Sequence, residues 1–181
     1  MKKNKVIIFD LDGVLINSAP NMKYALSQTS KKLKLDLKIQ LYKVFLGLPF
    51  EKIIKNMGFY KDIKLIKKNY EYFSKQKLSK IKITNKNLTK LNQLKKKYYL
   101  AIFTSKSKTR TNIILKKNYL FDIVITSDDV HCGKPHAQGI RKILKNLNLK
   151  PKDALYIGDS IFDYKASKSA KVKYRHARWG Y

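Results

Sequence analysis

The first apolar run of the chain, Val6 to Phe9, is short and rich in β-branched residues, which predicts a buried parallel strand ending at Asp10. From about Ile16 to Thr84 the rhythm turns helical. Ser18 stands where an N-cap belongs, with Pro20 just inside, and Met22, Ala25, Leu26, Thr29 and Leu33 follow at helical spacing. Phe50, Ile53, Ile54 and Met57 form a second stripe closed by Gly58, and Ile63, Ile66, Tyr70 and Phe73 form a third.

After Thr84, strand and helix patterns alternate. Leu88, Leu91 and Leu94 mark a helix, YYLAIF (98–103) a strand, Ile113 to Lys117 part of a helix, and DIVIT (122–126) a strand. Ile140, Ile143, Leu144 and Leu147 mark the next helix, ALYIG (154–158) a strand, and Ala166 and Ala170 a last helix. Such alternation predicts an α/β fold with a Rossmann-like parallel sheet. Residues 1–15 and 85–181 would form this core, with residues 16–84 inserted as a small α-helical cap domain.

Composition narrows the class. The chain has 181 residues, 44% hydrophobic and 12% aromatic, which argues for a folded protein with one main core. Its 41 basic against 12 acidic residues give a formal charge of +29. The lysines are scattered among Asn and Ile, without an Arg-rich block or a nucleic-acid module. A solvated basic surface is the favoured reading, and an affinity for nucleic acid is the competing one. The single cysteine, Cys132, precludes an internal disulfide, and the first apolar run meets Asp10 too soon for a secretory leader. A cytoplasmic protein without a membrane segment is expected; the oligomeric state cannot be read from the sequence.

The candidate chemistry lies at the strand ends, where ligands of open α/β sheets bind. FDLDG carries Asp10 and Asp12, FTS carries Thr104 and Ser105, and IGDSIFD carries Asp159 and Asp163. Four of only twelve acidic residues would thus meet at one edge, and clustered carboxylates call for a proton or a cation. Hard oxygen ligands suit Mg²⁺, which beside an exposed carboxylate suits phosphoryl transfer. Thr104 could hold phosphate oxygens, with Ser105 a weaker candidate, and Lys134 in HCGKPH could hold both the phosphate and Asp10.

DLDGVL (10–15), the strand ending in Thr104, GKP (133–135) and GDSIFD (158–163) together resemble the haloacid dehalogenase superfamily, in its phosphatase branch with a helical cap. The resemblance implies that Asp10 is a nucleophile forming an aspartyl phosphate and that Asp12 is the general acid and then base. It also implies that Thr104 and Lys134 bind the phosphoryl group, and that Asp10, Asp12 (through its carbonyl), Asp159 and Asp163 form the Mg²⁺ site. The expected activity is a Mg²⁺-dependent phosphatase for a small phosphorylated metabolite: phosphoglycolate, a sugar phosphate or a nucleotide. A phosphomutase of the same superfamily and a basic nucleic-acid-binding protein with little catalysis are the alternatives.

The chain departs from the family pattern at Asn17-Ser18 and at KPHAQ (134–138), and relatives usually continue beyond RWGY (178–181), so the expectation is either a missing edge of the sheet or an incomplete sequence. Asp128 and Asp129 are read as caps of a loop, and Trp179 as packing. Gly47-Leu48-Pro49 is either a substrate-selecting loop or a plain helix–helix turn.

Overall fold

The computed structural model describes residues 3–115 and 120–180. Its centre is a five-stranded parallel sheet of β1 (Val6–Phe9), β2 (Tyr99–Phe103), β3 (Ile123–Ile125), β4 (Ala154–Gly158) and β5 (Lys173–His176), in the order β3-β2-β1-β4-β5. β1 lies between β2 and β4, with Ile8 opposite Ala101 on one side and Tyr156 on the other.

Because side chains alternate across a strand, each apolar run feeds two cores. Ile7, Phe9, Leu100 and Ile102 face one core. Val6, Ile8, Ala101 and Phe103 face the other, where α7 (Gln138–Leu147) buries Ile140, Ile143 and Leu144. Strands buried on both faces read as continuous apolar runs, which is why four of the five were visible in the sequence.

The helices α1 (Ala19–Leu33), α2 (Ile39–Val44), α3 (Phe50–Asn56) and α4 (Ile63–Leu78) gather around a third cluster that includes Met22, Leu26, Ile54, Ile66 and Tyr70. The three predicted stripes fall on α1, α3 and α4, and Gly58, at φ +91°, follows α3 as expected. Leu78, Ile81 and Ile83, however, pack into a cluster of the sheet, so the return from the helical module is anchored there. α5 (Asn85–Lys95), α6 (Lys108–Leu115) and α8 (Ile161–Ser169) complete the layers. No helix among the described residues is long and apolar enough to cross a membrane.

Several details differ from expectation. Ser18 occupies the N-cap position of α1 but makes no capping bond, and the Ala19 N–H donates to Asn17 Oδ1 instead (3.2 Å). The strands at 98–103 and 122–126 are each shorter at their ends, and of the helix expected around Ile113–Lys117, Lys116 and Lys117 lie outside the described residues. β5 was not foreseen. Its sequence, KYRH, has no apolar run because it forms an edge, where exposed basic side chains discourage pairing with another chain. Trp179 is largely exposed, and its indole N–H donates to the Val14 carbonyl (3.0 Å), so it tethers the chain end rather than filling a core.

As expected, Asp128 and Asp129 work as caps. Asp128 accepts the N–H of Lys108 (2.9 Å), and Asp129 accepts the N–H (2.9 Å) and hydroxyl (2.7 Å) of Thr126. Partial burial works to raise the Asp129 pKa, but the Thr126 bonds and Lys108 bring it below the usual range. A lowered folded-state pKa gives stability that is present above the unfolded carboxylate value, about 3.9, and lost as pH falls through the folded value. Asp129→Asn should therefore be less stable than the parent at pH 7, with the gap in urea midpoints narrowing toward about pH 2. An unchanging gap would show that the ionised carboxylate contributes nothing.

Candidate active site

Three neighbouring parallel strands end at the same edge, and each delivers a polar residue there. Asp10 follows β1 with its N–H on the Ile157 carbonyl (2.9 Å), Thr104 follows β2 with its N–H on the Ile125 carbonyl (3.0 Å), and Asp159 follows β4. The chain after Asp10 turns tightly through Gly13, at φ +78°, which sets Asp12 beside Asp10 on the cavity wall.

Lys134, from the segment before α7, is completely buried, with Nζ 2.6 Å from Asp10 Oδ1 and 2.6 Å from Asp163 Oδ1. Asp163 is itself fixed. Its Oδ1 accepts the Tyr156 hydroxyl (2.8 Å), and its Oδ2 accepts the N–H (3.1 Å) and hydroxyl (2.6 Å) of Ser160 at the start of α8. Gly158 permits this approach, since a Cβ there would come within 2.5 Å of the Asp163 Cβ.

Burial works against the charge of Lys134, but Asp10 and Asp163 outweigh it and hold the ammonium protonated well above the usual lysine range. Burial pushes the Asp10 pKa well up, Lys134 opposes this, and Asp163, Asp12 and Asp159 add to the rise. For Asp12, burial is overcome by Lys106, whose Nζ lies 3.1 Å away, by the Ser18 hydroxyl and by Arg110, so its pKa is lowered. The two adjacent carboxylates thus sit in opposite environments.

Carboxylate oxygens of Asp10, Asp159 and Asp163 lie within 4.8 Å of one another. This hard-oxygen donor set fits a divalent cation such as Mg²⁺, which would also relieve the repulsion that raises the Asp10 pKa. The Asp12 side chain is not part of that cluster, being turned to Ser18 and Lys106. Asp163 belongs to the cluster, although both its oxygens already accept protein donors.

The structure also brings in groups that sequence reasoning missed. Lys106 and Arg110 are buried and line the same cavity of about 60 Å³, with Tyr42 and Tyr70 from the helical module. Thr104 Oγ1 accepts the Lys106 N–H (3.2 Å). The Ser105 hydroxyl donates to the Gly47 carbonyl (2.6 Å), so it clasps the helical module instead of facing the cavity alone. Gly47, at φ +100°, has room for no side chain: a Cβ would lie 2.5 Å from Ser160 Oγ. The 47–49 loop is therefore more than a helix–helix turn, since Gly47 and Leu48 roof the cavity.

The family model for haloacid dehalogenase-like hydrolases matches residues 7–177. The chain belongs to this family. A phosphoglycolate phosphatase of Aquifex aeolicus is 32% identical over 98% of this chain and 86% of its own length. A pyrophosphatase of Bacillus thuringiensis is 36% identical over 48% of this chain and 42% of its own length. The solved structure of a haloacid dehalogenase-like family hydrolase from Streptococcus pneumoniae is 25% identical with a TM-score of 0.84, covering 99% of this chain and 87% of that one.

In this haloacid dehalogenase-like hydrolase the buried Lys134 offers a direct test of the site's electrostatics. Lys134→Met leaves two buried carboxylates without their cation, and should cost roughly 3–5 kcal/mol of unfolding free energy in EDTA. Adding Mg²⁺ should recover part of that loss. Urea titrations with and without the cation measure both effects, and a variant as stable as the parent would show that the ammonium is not what holds the carboxylates together.

Proposed function

We propose that the protein is a Mg²⁺-dependent phosphatase acting on a small phosphorylated metabolite through a covalent phosphoryl group on Asp10. The observation that carries this reading is the pair Asp10 and Asp12 on one cavity wall, the first held by Lys134 and the second by Lys106 and Ser18. The name of the Aquifex relative, which aligns over nearly the whole chain, supports phosphoglycolate as the first substrate to try. Residues 1–15 and 85–181 would supply the chemistry and residues 16–84 the cap, with Gly47 and Leu48 closing over the substrate. The single cysteine, an exposed free thiol, suits the reducing cytoplasm.

In the first step an Asp10 oxygen attacks phosphorus, the bond to the leaving oxygen breaks, and that oxygen takes a proton from Asp12. In the second, water attacks the aspartyl phosphate, Asp12 takes its proton, and phosphate leaves Asp10. The lowered pKa of Asp12 suits the second step, and arrival of an anionic phosphoryl group raises its proton affinity for the first. The Thr104 hydroxyl would hold a phosphoryl oxygen, and Lys134 would keep Asp10 in line. Asp10 and Asp159 would hold the cation with Asp163 adjoining; when bound, it offsets the negative charge of the phosphoryl oxygens.

With an aryl phosphate, Asp12→Asn should form the phosphoenzyme and then stall, giving a burst of phenol and slow phosphate release. Asp10→Asn should give neither, and EDTA should abolish turnover by the parent. Rapid-mixing kinetics beside intact-mass analysis checks each point. A phosphate adduct in Asp10→Asn, or full turnover in Asp12→Asn, overturns the assignment. Phosphate release that requires an added sugar bisphosphate would point to a phosphomutase.

A further inference from the structure

Arg110 is a buried charge whose position the phosphatase chemistry does not explain. It lies on α6, 8% exposed, on the wall of the cavity that also holds Asp10 and Asp12. Among the described residues, no carboxylate comes within ion-pair distance of it. Its Nη2 donates to Ser74 Oγ (2.8 Å), and its guanidinium carbon lies 5.2 Å from the Tyr70 ring centroid. Its Nε is buried with no hydrogen-bond partner among the described residues.

A desolvated guanidinium without an anion is costly, and a buried N–H without an acceptor adds to that cost. Such a group persists where a ligand supplies what the protein withholds. The neighbourhood agrees. Lys106 adds a second buried cation on the same wall, and Tyr42 and Tyr70 line it from the helical module. Met22, Phe50 and Ile53 make part of the remaining wall apolar, and Asp12, the acid that acts on Arg110, is already paired with Lys106. The small volume of the cavity, about 60 Å³, excludes a long chain between the two ends of a ligand.

We propose that Arg110, with Tyr42 and Tyr70 beside it, forms a subsite for a carboxylate at the far end of the substrate from its phosphoryl group. The substrate class is then a phosphate ester of a two- or three-carbon acid. This rests on the phosphatase reading and adds to it the residue that selects the non-reacting end. A planar carboxylate matches the guanidinium fork, and burial strengthens the pairing.

The test compares 2-phosphoglycolate with ethyl phosphate, which lacks the carboxylate, and with pyrophosphate, whose second anion is a phosphoryl group. In the parent, kcat/KM should be at least tenfold higher for 2-phosphoglycolate than for either. Arg110→Met should lose about 10- to 100-fold on 2-phosphoglycolate, mostly in KM, and clearly less on ethyl phosphate. Arg110→Lys should recover part of the loss. Ser74→Ala, which removes the link between α6 and α4 together with a bond from Ser74 to Asn21 Oδ1, should leave the preference intact. As a readout independent of turnover, phosphonoacetate should raise the melting temperature of the parent more than ethylphosphonate does, and Arg110→Met should erase that difference.

Equal losses on 2-phosphoglycolate and ethyl phosphate would make Arg110 a strut between helices and overturn the subsite. So would a parent that prefers pyrophosphate or shows no preference, with the phosphatase reading intact. A parent that hydrolyses none of the three with Mg²⁺ and forms no phosphoenzyme would overturn both.

Discussion

The site depends on one ammonium group placed where water cannot reach it. Lys134 sits between Asp10 and Asp163 at 2.6 Å from each, with no exposed surface. Burial works against the charges of Lys134 and Asp10, and their contact offsets part of that cost for each. The fold serves this contact from three directions. β1 ends at Asp10, β4 turns through Gly158 so that α8 can present Asp163, and the segment before α7 delivers Lys134. Tyr156 and Ser160 then occupy the outer lone pairs of Asp163, so the triad cannot rotate.

A second constraint couples the helical module to the sheet. The Ser105 hydroxyl on the Gly47 carbonyl, the close approach of Gly47 to Ser160, and the Arg110–Ser74 bond tie the two at separate points. All three ties involve residues of the cavity wall, so the contacts that hold the module on the sheet are also those that shape the cavity.

Much of this was legible in the sequence because it follows from period and order. Buried parallel strands read as apolar runs, and acids at their ends stand out in a chain with only twelve acidic residues. The same rarity does not help with cations. Lys106 and Arg110 are two among 41 basic residues, and nothing in their local pattern distinguishes a buried cation from a solvated one. Tyr42 and Tyr70 lie on apolar helix stripes, where a tyrosine reads as core; both are core and cavity wall at once. β5 escaped notice because an edge strand needs no apolar run.

Burial sorts the basic charge in a way composition cannot. Among the described residues the buried cations are Lys106, Arg110 and Lys134, and all three border the site, while the rest of the positive charge is in solvent contact. Their distribution divides the site into two ends. At one, the carboxylates of Asp10, Asp159 and Asp163 cluster, with Lys134 bridging Asp10 and Asp163, a donor set that suits a divalent cation. At the other, Lys106 and Arg110 outnumber Asp12, leaving one positive charge in a small cavity. On the proposed reading, a substrate fills that end with its own negative charge, and each charge it brings draws a proton toward Asp12. The general acid is then made ready by the arrival of the molecule it is to protonate.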